Sequence, residues 1–182
     1  MTLTDIANRA LEAVGGDAIN NIEDDTATAR KIRRALYCAI DDVQSMRNWG
    51  CLSRKGELVL AAEPSETECE FKFIAPKNLI AIVETFPPTR FERIGGFIYA
   101  EVSKLSARWI VSNYEPMTWC KNLQGAVIAK LKAEIVLPVV GNERFATQTI
   151  QLAERDIARY IMNDISASKD KLSQHQSTWF EG

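Results

Sequence analysis

The residues able to do chemistry are few in this chain, and their spacing suits no reaction. The single histidine, His175, sits in a polar stretch near the end of the sequence. One histidine builds no histidine-rich metal site, and a Ser-His-Asp arrangement would rest on that polar stretch. Ser166-Ala-Ser-Lys169 matches the Ser-x-x-Lys pattern of acyl-transferring penicillin-recognising enzymes. Its Ser-Asp-Asn and Lys-Thr-Gly companions are missing, and the match falls at a helix end. Asp24-Asp25 and Asp41-Asp42 are adjacent carboxylates. Successive residues on a helix point about 100° apart, so neither pair converges on one substrate atom. The first pair reads as helix-start electrostatics and the second as a solvated face. No Gly-x-Gly-x-x-Gly or Gly-x-x-x-x-Gly-Lys cradle for phosphate occurs. We therefore expect no catalytic residue, no cofactor and no metal.

Binding is better represented. Arg30, Lys31, Arg33 and Arg34 form one basic cluster. It reads as a solvated face paired with nearby acids, as a contact with an acidic partner subunit, or as a phosphate contact. Trp179 and Phe180 are large aromatics in a polar tail. Such anchors either fold back onto the parent domain or insert into another subunit. Arg30, Arg33, Arg34, Trp179 and Phe180 are thus the candidate subunit-interface residues. The cysteines, Cys38, Cys51, Cys69 and Cys120, form no Cys-x-x-Cys pair. They read as separate thiols behaving as small hydrophobes, with a Cys51–Cys69 cross-strand disulfide as the alternative.

The elements that must position these residues follow from the pattern. The 182 residues suffice for one domain with an elaboration, and 46% hydrophobic with 25% charged is a globular composition. A net charge of −2 argues against a general nucleic-acid binder, which needs a basic excess. The N-terminus lacks the charged and apolar regions of a secretory signal, and the apolar runs at 79–83 and 136–140 fall far short of the ~18 residues of a membrane span. A cytosolic site of synthesis is expected, with no membrane partner.

Residues 2–14 carry Leu3, Ile6, Ala7, Ala10, Leu11 and Val14 on one helical face and stop at Gly15-Gly16. Ile19 and Ile22 should pin the following loop. Asp24, Asp25 and Thr26 are cap candidates for a second helix, with the stripe Ala29, Ile32, Leu36, Ile40 and Val43, running to Trp49-Gly50. Residues 50–115 change character, with short β-branched and aromatic runs at 58–60, 71–74, 79–83, 91–94, 97–102 and 108–111. Gly95-Gly96 predicts a two-residue hairpin loop. A third helix, ended by Pro138, has a large stripe (Leu123, Val127, Leu131, Ile135) and a small one (Ala126, Ala129, Ala133). Apolar on two sides, it belongs at the centre of a bundle. A fourth helix, capped by Asn142, shows Ala146, Ile150, Ala153, Ile157 and Ile161. The expected class is α+β, mainly α: a four-helix bundle (1–49 and 116–172), an inserted antiparallel β region (50–115) and a tail (173–182).

These segments, in this order, resemble the tail tubular protein A, or head-to-tail adaptor, family of short-tailed phages. The matching stretches are Ile6-Ala-Asn-Arg-Ala-Leu-Glu-Ala-Val-Gly-Gly, the Ala29-Arg-Lys-Ile-Arg-Arg-Ala-Leu helix ending in Met46-Arg-Asn-Trp-Gly, and Phe73-Ile-Ala-Pro-Lys-Asn-Leu-Ile-Ala-Ile-Val. Ala75-Pro76-Lys77-Asn78 stands where the family usually has Leu-Pro-x-Asp. Trp109-Ile-Val-Ser-Asn-Tyr-Glu-Pro-Met and Leu137-Pro-Val-Val-Gly-Asn extend the likeness through the C-terminal half.

The resemblance implies a structural virion subunit, assembled in the host cytoplasm as a homo-oligomeric ring of twelve copies. Its partners would be the portal protein and the tail nozzle protein, with double-stranded DNA passing through transiently. A well-mixed, nearly neutral surface suits DNA passage and predicts a free subunit that associates weakly. Two alternatives stay open: a head-completion or tail-terminator protein of another phage type, and a phage tail protein with cell-wall or saccharide hydrolase activity, which needs only two suitably spaced carboxylates.

Overall fold

The computed structural model describes residues 1–177, with side chains described through residue 167. The fold is α+β, about 49% helix and about 20% strand, so helix predominates. The chain divides into two compact units. One joins Met1–Cys51 to the chain from Tyr114 onward, and the other is Leu52–Asn113.

The helical unit contains four α-helices among the described residues: α1 (Leu3–Ala13), α2 (Ala27–Ser45), α3 (Lys121–Val140) and α4 (Glu143–Ser177). A capping box opens α1, with Thr2 and Asp5 bonding each other's backbone amides at 3.1 and 2.7 Å. Gly15, at φ +75°, ends it in the left-handed conformation that glycine adopts without strain. The next loop is held by more than its two isoleucines. Asn8 brackets the backbone of Ile19 with two 2.9 Å hydrogen bonds, and Ile22 is buried. Thr26 caps α2, its hydroxyl accepting from the Ala29 amide at 3.1 Å.

The α2 stripe of Ala29, Ile32, Leu36, Ile40 and Val43 is buried. The helix stops at Ser45, short of the expected Trp49-Gly50. There Trp49 turns back, fully buried, and its indole N–H donates to the Val43 carbonyl at 2.8 Å. That carbonyl lies in the last turn, where the helix supplies no i+4 donor, and the Met46 amide reaches it only at 3.3 Å.

Pro138 does not end α3, which continues to Val140. Proline's fixed φ is itself helical, so the chain completes its last turn until Gly141, at φ +68°, stops it. Helix α3 packs against α1, α2 and α4. Gly125 lets α4 come close: a Cβ there would lie 2.4 Å from the Tyr160 ring. On α4 the expected stripe shifts, because Ile150 is 38% exposed while Thr149 is buried. A 3.6-residue period drifts across a four-residue spacing, so over several turns the inward position moves to i+3. Helix α4 also runs on to Ser177, into the segment read as a tail. Nothing there breaks a helix, since Ser173-Gln-His-Gln-Ser contains no glycine or proline.

The β unit holds two antiparallel sheets. One is ordered β1-β7-β4 (Ser53–Glu57, Ser106–Val111, Leu79–Phe86) and the other β2-β3-β6-β5 (Val59–Leu60, Phe71–Ile74, Phe97–Ala100, Phe91–Ile94). Ile94 pairs with Phe97 across Gly95-Gly96, with Gly95 at φ +58°, as the two-residue hairpin requires. Strand β1, Ser-Arg-Lys-Gly-Glu, has no apolar alternation and escapes a sequence reading. It exists because β7 offers it a ladder, Ser53↔Ile110 through Glu57↔Ser106. The core comprises Leu58, Phe73, Leu79, Ile98, Ala100, Leu105 and Ala107. Arg93 ties the sheets together, donating to the Leu79 and Ile80 carbonyls at 3.0 and 3.1 Å beside the irregular register of β4.

Candidate interface

The basic cluster starts the second helix, and much of its charge is answered at once. Arg30 lies 3.4 Å from Asp25, and half-buried Arg33 donates to Glu23 at 3.0 Å. Both acids belong to the loop before Thr26. Exposed pairs of this kind contribute little free energy, so they orient the loop more than they stabilise it. Arg34 and Lys31 are exposed.

The Asp41-Asp42 pair is engaged, not merely solvated. Tyr114 donates its hydroxyl to Asp41, and that bond with partial burial pushes the phenol up to about 12. Asp42 lies 2.8 Å from Lys130, which is also 3.4 Å from Glu134 one turn along α3. The hydrogen bond to Asp42 raises the Lys130 pKa, while burial raises that of the Glu134 carboxyl against the pull of Lys130. The carboxylates thus serve as tertiary ties, Asp42 from α2 to α3 and Asp41 from α2 to the segment that precedes α3.

Glu134 and Lys31 both border a groove of about 650 Å³ in the helical unit. Leu11, Ile19, Ile32 and Ile135 supply its apolar lining, and Pro138 and Val139 form its rim at the end of α3. Beyond that rim the surface turns apolar. Leu137 is 47% exposed, and Val139, Val140 and Phe145 are exposed around the α3–α4 corner. The β unit has its own apolar surface. Val59 pairs with Ile74, Ile74 with Phe97 and Phe97 with Ile94, which makes one row across four strands. Val59 is 65% exposed, with Ile74 and Ile94 each at 50%. Lys72 and Tyr99 share this face but are buried, Lys72 reaching Glu63 at 3.1 Å with its ammonium 4.2 Å from the Phe97 ring. The bond to Glu63 raises the Lys72 pKa.

The expectation of a well-mixed surface is therefore corrected at these two places. Sequence reasoning missed both because nothing in the pattern separates an exposed apolar residue from a buried one. The corner lies where α3 ends at Val140 and α4 begins at Glu143, and the β row lies on the sheet face opposite the core.

Among the other residues singled out, Ser166 donates to the Met162 carbonyl at 3.2 Å, an ordinary bond within a helix. The side chains of Lys169 and His175, and Trp179 and Phe180 entirely, lie outside the described residues. Cys69 is buried in the β unit, whereas Cys51 belongs to the helical unit and its sulfur lies 2.9 Å from that of Cys120. The Cys51–Cys69 alternative is thus replaced by a different neighbour. In comparisons with known proteins, the sequence matches no family model and no curated protein.

Proposed function

We propose that this chain is a structural subunit of a short-tailed phage head-to-tail connector. Twelve copies would form a ring beneath the portal, continue the DNA channel and dock the tail nozzle. In this reading α1 to α4 form one four-helix bundle, and the β unit is an excursion from it. The observation that carries the proposal is that each unit presents an exposed apolar surface: the α3–α4 corner and the Val59–Ile74–Phe97–Ile94 row. Contiguous apolar surface of this kind marks a site of protein association. The order of segments that resembles the adaptor family supports the same assignment, and a net charge of −2 suits a channel wall that DNA crosses without being held.

The test mixes the purified chain with a short-tailed phage portal protein and images the product by electron microscopy. Twelve-fold rings seated on the portal are the expected result. A chain that stays monomeric beside an intact portal, or that closes a stable ring without one, overturns the proposal. Replacing Trp179 and Phe180 together by alanine should weaken ring formation and leave the melting temperature of the free chain unchanged.

A further inference from the structure

We propose that Cys51 and Cys120 form an oxidation site, a dithiol that closes to an intramolecular disulfide when it meets a small-molecule disulfide. The two sulfurs lie 2.9 Å apart although 69 residues separate them. Bond formation needs an approach of about 0.9 Å more, within reach of side-chain rotation. Both residues sit on anchored backbone. Cys51 lies in a short 3-10 helix, Gly50–Leu52, directly after the buried Trp49. Cys120 is the N-cap of α3 and directly follows Trp119, 5% exposed. A buried tryptophan close by thus holds the backbone of each cysteine, and side-chain rotation alone brings the sulfurs together. Both cysteines are half-buried, so a small oxidant can reach them, while Cys69 is enclosed in the β unit.

The chemistry favours one order of events. In the structure Cys51 donates to Cys120 and Cys120 to Asp164. Once Cys51 gives up its proton, Cys120 can donate to the thiolate instead, which brings the Cys51 thiol down to about 7 and holds the Cys120 proton above its ordinary range. Asp164 Oδ1, 3.8 Å from the Cys120 sulfur, opposes a second negative charge. Cys51 is therefore the attacking thiolate. It bonds to one sulfur of a low-molecular-weight disulfide such as glutathione disulfide, whose S–S bond breaks and releases one thiolate. Cys120 then attacks the Cys51 sulfur of that mixed disulfide, displaces the second small thiolate and gives up its proton to it. Two protein thiols are oxidised and one small disulfide is reduced to two thiols. Excess thiol reverses the sequence. The new bond staples the start of α3 to the segment after α2, closing a loop that contains the whole β unit. It forms in the isolated chain and needs no partner subunit.

The test treats the reduced full-length chain with glutathione disulfide near neutral pH, alkylates the remaining thiols and maps the peptides. The expected product links Cys51 to Cys120, with Cys38 and Cys69 alkylated, and dithiothreitol reverses it. The linked form should melt several degrees higher than the reduced one, a shift absent from Cys51→Ser. Cys120→Ser should instead retain glutathione on Cys51. In the reduced wild type, iodoacetamide should modify Cys51 about ten-fold faster than Cys38. A lasting glutathione adduct on wild-type Cys51 overturns the proposal, as does a link from Cys51 to Cys38 or Cys69.

Discussion

The helical unit and the β unit reach a buried core by different routes. In the helical unit the buried positions follow one another at helical spacing, so most of the core of α1, α2 and α3 lies along local stripes. Polar ties then fix how the stripes meet: Asn8 on Ile19, Lys130 on Asp42, Tyr114 on Asp41, and Arg47 on both the Ile161 carbonyl and Asp164. In the β unit the core is thinner and gathers Leu58, Phe73, Ile98 and Leu105 from segments that meet only through pairing. Its one buried ammonium, Lys72, is answered by a loop and a ring. A core of distributed stripes loses one member gradually, whereas a core of few pairings depends on each member.

That contrast can be broken most directly at Phe73, which is 1% exposed. Phe73→Ala should cost about 4 kcal/mol, close to the whole stability of a unit of roughly sixty residues. The expected outcome is loss of the near-ultraviolet β-unit signal while helical dichroism persists. Simultaneous loss of both would show that the units fold as one.

The next effect tests the polar ties of the helical unit. Arg47 Nη2 lies 3.0 Å from Asp164, a residue 6% exposed. Removing the guanidinium by Arg47→Met takes a cation from a buried carboxylate and should cost about 3 kcal/mol in chemical denaturation. A loss below about 1 kcal/mol would place this pair among ordinary surface bridges.

A smaller loss, about 2 kcal/mol, is expected for Gly125→Ala, because the new methyl enters the Tyr160 ring. Adding Tyr160→Ala should make the alanine tolerable. Equal losses with and without Tyr160 would mean that the helix contact is not what selects glycine.

The smallest effect is a titration. Tyr114 holds its proton up to about 12 through its bond to Asp41. The folded pKa is raised, so this stabilisation is fully present below about 10 and is lost as pH rises towards 12. A phenolate absorbance titration should show one late-titrating tyrosine that disappears in Tyr114→Phe and titrates earlier in Asp41→Asn.

The sequence by itself determined what depends on neighbours a few residues apart. The stripes of α1 to α3, the Thr26 and Asn142 caps, the Gly15 stop and the Gly95-Gly96 hairpin are all of this kind. Their physics closes within one or two turns of chain. Tertiary structure decided the rest. Strand β1 has no pattern of its own and exists through β7, some fifty residues away. Thr149 displaced Ile150 because the neighbouring helix, not the spacing of apolar residues, sets which side of α4 is covered. The candidate interface was legible as a basic cluster and two tail aromatics but not as the two apolar surfaces, because an apolar residue left outside reads like one buried within. The meeting of Cys51 with Cys120 lies furthest from the sequence: bringing together residues this far apart needs the closed fold, which no local window encodes.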